Sequence, residues 1–224
     1  RAARRFSCAA MLFAVSMAPP LSAADTPQVV QLHIPEGRVL LQPVLSDRRL
    51  DGELGRQLAR VAERIAIQEP GAGPLTTLRK DNEGRWVDTA GAPYQKPLPP
   101  GHGLVVTRTE TGAASVTFTG LPSRVACVIA EGRNLIGSSS TLPVSLQQAV
   151  TSATPDAIAA SYDEQKADCI DLLNDDGSWQ RLIRTPDQGW LDLRTFTPAA
   201  QLLQPGRAFY YIRQPGRGPL VLDF

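Results

Sequence analysis

The chain has 224 residues, 42% hydrophobic and 20% charged, with a formal net charge of +1. That length allows one large domain or two small ones, and the composition is ordinary for a soluble globular protein. No stretch approaches the ~18–20 apolar residues of a membrane-spanning helix, and the near-neutral charge provides no basic surplus to attract nucleic acid.

Residues 1–24 read as a secretory signal peptide. Arg1, Arg4 and Arg5 make a positive start, an apolar run follows to Ala18, and Pro19–Pro20 end it. Ser22-Ala23-Ala24 then places small residues at a cleavage site. Without those arginines, 20 basic residues face 22 acidic ones, and two of the three cysteines, Cys127 and Cys169, remain.

The rest reads as a phrase written twice. "IPEGRVLLQPVL" (34–45) matches "IAEGRNLIGSSS" (129–140), 95 residues on. "LTTLRKDNEGRW" (75–86) matches "CIDLLNDDGSW" (169–179) after one deletion. "LPPGHGLVVTRT" (98–109) matches "LQPGRAFYYIRQ" (203–214), 105 residues on, and "SVTFTG" (115–120) resembles "PLVLDF" (219–224). Matching blocks in one order predict a tandem duplication. The units are residues 27–121 and 122–224, joined by "GLPSR" at 120–124.

In chain order, 29–34 and 39–44 read as strands about Gly37. Leu54, Leu58, Val61, Ala62 and Ile65 share one helical face, predicting a helix over 51–67 with Asp51 as N-cap. "DNEG" at 81–84 reads as a hairpin turn followed by Trp86, and Pro100-Gly101 launches another strand. In the second unit 125–129 and 134–137 read as strands about Gly132. Ser145 and Gln148 form a capping box, and Thr154-Pro155 reads as a further helix start. "NDDG" at 174–177 repeats the hairpin before Trp179, and Pro205-Gly206 launches the strand containing Phe209, Tyr210, Tyr211 and Ile212. Apolar bulk on both faces of that strand suits burial on both sides. The predicted class is mainly β with one or two short helices per unit (α+β), a duplicated small sandwich- or barrel-like module.

"EGRNLIG", "DLLNDDGSWQRLI" with "GWLDL", and "QPGRAFYYIR" resemble a family of secreted bacterial proteins expanded in the Verrucomicrobia. Its domains carry Gly-x-Asn-Leu-Ile-Gly and Pro-Gly-x-x-Phe signatures around a Trp-containing hairpin. The resemblance covers residues 132–224. The first unit has "GRVLLQ" and "PGHGLVV" in place of the signatures. It implies export and a β-rich domain, and carries over no catalytic residues.

The chemistry in the sequence is sparse. His33 and His102 are the two histidines, and H-E-x-x-H and C-x-x-C are absent, so no metal or cofactor is expected. Ser138, Ser139 and Ser140 lack the G-x-S-x-G surround of an activated nucleophile. "DNEG" and "NDDGS" lack the spacing of an EF-hand. Asp163, Glu164, Asp168 and Asp171 form the densest acidic patch, and a hydrolase there needs two carboxylates facing across a cleft. Trp86, Trp179, Trp190 and Tyr210 are candidate ligand-binding residues, since exposed rings stack on sugars and buried ones fill core. Cys127 aligns with Leu32 and Cys169 with Leu75. Both cysteines are therefore expected to point inward, and to form a disulfide if their strands are neighbours.

The leading expectation is an exported, non-enzymatic structural or adhesive protein of the cell surface, periplasm or extracellular space, with a cell-envelope or extracellular polymer as partner. A carbohydrate-binding protein using Trp and Tyr is the alternative, and a hydrolase around Asp168 the second.

Overall fold

The computed structural model describes residues 26–122, 126–138, 140–150 and 157–223. The segment read as a signal peptide, the expected helix start at Thr154-Pro155 and part of the 120–124 joint lie outside the described residues. The chain is mainly β. Its first half runs β1 (Gln28–His33), β2 (Gly37–Leu41), α1 (Glu53–Val61), β3 (Arg64–Gln68), β4 (Leu75–Lys80), β5 (Trp86–Val87), β6 (Leu104–Arg108) and β7 (Ser115–Gly120). Alternation decides the layers. Val39, Ile65, Leu78 and Val106 point to one face of an antiparallel sheet ordered β2-β6-β3-β4-β5. The β1–β7 ribbon and α1 lie over that face with Leu32, Phe118, Leu54 and Leu58.

The helix is shorter than its apolar periodicity predicts. It ends at Val61, and its N-cap is Gly52 rather than Asp51, whose carboxylate is held by Arg49 at 2.8 Å. The amide of Glu63 donates to Thr107 O at 2.9 Å. From there Ile65 and Ile67 follow the two-residue period of a strand, and this pairing with β6 overrides the helical repeat.

The second half runs β8 (Ala126–Ile129), β9 (Gly132–Gly137), β10 (Val144–Ser145), α2 (Leu146–Ala149), β11 (Cys169–Leu173), β12 (Trp179–Thr185), β13 (Gly189–Asp192), β14 (Leu202–Leu203), β15 (Ala208–Arg213) and β16 (Leu220–Asp223). Here α2 is a single turn, and Ser145 caps it without a side-chain hydrogen bond, so the predicted capping box does not form at Ser145. The five-stranded sheet is ordered β9-β15-β11-β12-β13, beside a β8–β16 ribbon. This is the strand order of the first half. The pairs Arg64–Thr107, Ile65–Val106 and Ala66–Val105 recur as Cys169–Ile212, Ile170–Tyr211 and Asp171–Tyr210, all 105 residues on.

That register reassigns one matched block. "DNEG" joins β4 to β5, whereas "NDDG" joins β11 to β12. Similar turn chemistry thus serves different hairpins. Trp86 stands where Trp190 stands, on the last strand of its sheet, and each indole N–H donates to a backbone carbonyl beside a helix. Trp86 reaches Gly55 O at 3.0 Å and Trp190 reaches Val150 O at 3.3 Å.

The halves meet through reciprocal contacts. Gln42 N donates to Gly206 O at 2.8 Å, and Gly137 N donates to Gly101 O at 3.3 Å. Leu41 bridges Arg207, and Ile136 bridges His102. Each Pro-Gly turn therefore docks on the other half's edge strand, the pattern of an isologous interface. Gly101 and Gly206 have φ of +74° and +76°, and a Cβ on Gly206 would lie 2.4 Å from Leu32 Cδ1. Leu40, Val105, Leu135, Ala208 and Tyr210 bury a small apolar cluster between the sheets. Gln68 ties it in, donating to Arg133 O at 2.7 Å and accepting from Leu135 N.

The expected disulfide is absent: Cys127 and Cys169 are free and buried. Cys127 lies in the inner core of the second half, while Cys169 belongs to a cluster with Ala167, Ile183 and Leu191 on the other face of the sheet. The cause is the register. Cys169 takes the place of Arg64, not Leu75, and its neighbour Ile170 takes the inward position.

Gly103→Ala should destabilise the protein by about 1–3 kcal/mol in urea unfolding, because the new Cβ would lie 2.6 Å from Ala208 Cβ. Gly73→Ala, with nothing within 4 Å of its Cβ, should stay within about 0.5 kcal/mol of wild type. Burial pushes both thiols up to about 12. Cys127 and Cys169 should therefore resist a thiol reagent in the native protein and label fully in guanidinium, read by peptide mass.

Candidate ligand-binding site

Of the four candidate ligand residues, three are core. Trp86 is 2% exposed, Trp190 0% and Tyr210 7%. The two indoles fill the inner faces of their sheets, which corrects their reading as ligand platforms. Trp179 differs, with 45% of its surface open. It begins β12 opposite Leu173, just past the "NDDG" turn, at the end of the hairpin where the packed sheet stops covering side chains.

Trp179 belongs to a stack. Its ring centroid lies 5.9 Å from that of Tyr210, and the Arg133 guanidinium sits 3.7 Å from the Tyr210 centroid and 5.7 Å from that of Trp179. Such a cation above ring faces holds both rings in place. Arg181 next to it is bidentate to Asp171 at 2.7 and 2.9 Å and also bonds Glu164. The hydrogen bond to Asp171 raises the Arg181 pKa further above its ordinary value.

A groove of about 440 Å³ opens beside Trp179, lined by Asn174, Ser178, Gln180, Asp192 and Arg194 among others. Asp192 is built in. It accepts from the amides of Arg194 at 2.7 Å and Thr195 at 3.2 Å, and from the Gln180 side chain. Burial raises its pKa, but those donors outweigh it and hold the carboxyl below its usual range. An aromatic wall with amide, carboxylate and guanidinium groups around it can stack a ring and hydrogen-bond its hydroxyls. Arg133, Gln180, Asp192 and Arg194 were not legible as site residues. Only the exposed Trp after the turn carries a sequence signal.

The acidic patch does not form a catalytic pair. Asp168 has no exposed surface. Its Oδ2 accepts from Tyr211 Oη at 2.8 Å, Arg213 Nη1 at 2.8 Å and Ala159 N at 3.1 Å, and its Oδ1 accepts from Gln214 N at 2.9 Å. This carboxylate is a saturated internal ion pair. Asp163 pairs with Lys166 at 3.1 Å, and Glu164 with Arg181. Ser138 is buried and accepts from Ser140 N, while Ser139 lies outside the described residues.

His33 is exposed on β1. His102 is buried between the halves with its Nε2 3.9 Å from Cys127 Sγ. Burial lowers the imidazole pKa and raises that of the thiol, so the two meet as neutral groups, not as a thiolate–imidazolium pair. Among the described residues, no group of three His, Cys, Asp or Glu side chains could hold a metal ion, and no helix is long and apolar enough to cross a membrane. No family model, curated protein or solved structure matches the chain.

Because burial depresses the His102 pKa, the unfolded chain binds the proton better, and stability is lost as pH falls below about 6.5. Wild type should lose more stability than His102→Gln between pH 7 and 5, measured by urea melts. Asp168→Asn strands Arg213 without its counter-charge and should cost about 3–5 kcal/mol, read by the same melts.

Proposed function

We propose that this chain is an exported, non-enzymatic binding protein of two modules descended from one ancestral module, and that the Trp179 groove holds carbohydrate. The observation that carries the reading is the open Trp179 ring, braced by Tyr210 and Arg133, at a groove rimmed with polar side chains. Duplication is favoured by the shared strand order and by register pairs that advance together by 105 residues. Export rests on the arginine start, apolar run and small-residue end of residues 1–24. The likeness to secreted Verrucomicrobia-type proteins rests on Gly132–Gly137 and Pro205–Phe209. A cell-envelope or extracellular polysaccharide is the ligand consistent with these features, and an adhesive role follows from holding it.

A glycan array followed by titration of Trp fluorescence tests this. Trp179→Ala should weaken the best glycan at least about tenfold, roughly 1.4 kcal/mol, with little change in melting temperature. An array without hits, or unchanged affinity in the variant, would reject the groove.

A further inference from the structure

One row on the outward faces is apolar in the second sheet and basic in the first. In the second half, the register sets Arg133, Ile212, Cys169, Ile183 and Leu191 side by side across β9, β15, β11, β12 and β13. The apolar members of this row pack in a cluster. Residues 157–168, ahead of β11, return over them. Cys169 Sγ donates to Glu164 O at 3.7 Å, and Ser161 N donates to Arg184 O at 2.9 Å. In the first half only Ala62 and Glu63 separate α1 from β3, a link too short to return over the sheet. The equivalent row there reads Arg38, Thr107, Arg64 and Arg79 across β2, β6, β3 and β4. All three arginines are exposed.

This arrangement works against the fold. Arg64 and Arg79 stand directly opposite one another, and like charges so placed repel. Among the described residues, no carboxylate lies within 4.0 Å of Arg38, Arg64 or Arg79, although Arg56, Arg85, Arg133 and Arg181 each have one. Strands lie about 4.8 Å apart. Three arginine side chains therefore leave the sheet along one line, one and two strands apart, with Thr107 between.

We propose that this row binds a linear polyuronate, a polysaccharide carrying carboxylates at regular intervals. A guanidinium fork matches a carboxylate in bidentate fashion, and Thr107 can bond a sugar hydroxyl. No aromatic ring interrupts the row to stack a nucleobase, and a chain charge of +1 provides no broad positive field for duplex DNA. The row ends at Val87, which is buried and cannot enter a bilayer. None of these residues lines the Trp179 groove, so the inference goes beyond the function proposed above.

Retardation of the full-length protein in gels containing polygalacturonate, dextran sulfate, plain dextran or duplex DNA tests it. Polygalacturonate should retard wild type, less so as salt rises. Arg64→Thr/Arg79→Thr should weaken that binding at least about tenfold while its melting temperature holds or rises, because a repulsive pair is removed. Arg56→Ala, whose guanidinium pairs with Glu53 at 2.8 Å, should bind as wild type. No retardation by polygalacturonate, or an undiminished effect in the double variant, overturns the proposal. So does binding of dextran sulfate or DNA at least as tight as that of polygalacturonate. Binding lost in Trp179→Ala but kept in the double variant would move the polymer to the groove and also overturn it.

Discussion

Two Pro-Gly turns, each inserted against the edge strand of the opposite half, govern how this chain is assembled. The turn at Gly101 receives the amide of Gly137, and the turn at Gly206 receives that of Gln42. Positive φ lets glycine make each turn, and the missing side chain lets each turn approach. A Cβ at Gly101 would meet Cys127 at 3.1 Å, and one at Gly206 would meet Leu32 at 2.4 Å. Leu32 and Cys127 stand in corresponding ribbons, so the same steric demand is met twice.

With the outward faces joined at Leu40, Val105, Leu135 and Tyr210, each sheet is buried on both sides over part of its area. That explains why β15 carries apolar bulk on both faces. Phe209 and Tyr211 fill the inner core, and Tyr210 fills the interface. A fully buried side chain of this size contributes about 1.5–3 kcal/mol, so one strand serves two cores.

The halves share strand order but differ in their polar interiors. Arg213 is neutralised by Asp168 at 2.8 Å. Its counterpart Arg108, 105 residues earlier, is buried against carbonyls instead, donating to Ile34 O at 3.0 Å and Thr111 O at 3.3 Å. Glu63, in the place of Asp168, is exposed. The long link before β11 accounts for the difference. Its residues 157–168 return over the second sheet, closing an apolar row and enclosing the ion pair, and the two-residue link of the first half leaves arginines facing water. Both surfaces proposed to hold ligand lie where covering chain is lacking, at the Trp179 hairpin end and along the arginine row.

Local period and turn chemistry were enough to mark β1, β2, β9 and β15, the Gly37 and Gly132 turns and the Pro-Gly launches, because each depends on neighbours within a few residues. They overran at 51–67, where a helical face continued into Ile65 only because pairing with β6 is invisible locally. Matching "DNEG" with "NDDG" misplaced Cys169 and paired Trp86 with Trp179, since turn residues state that the chain reverses but not which strands it joins. Whether Cys127 met Cys169, whether a given Trp faced core or solvent, and whether Asp168 could reach a substrate were decided by register, and in a sheet one residue of register exchanges the two faces. By itself the sequence determined two similar β-rich stretches with defined turns. Only the tertiary structure decided which surfaces those stretches bury against each other, because that choice rests on contacts between residues about a hundred positions apart.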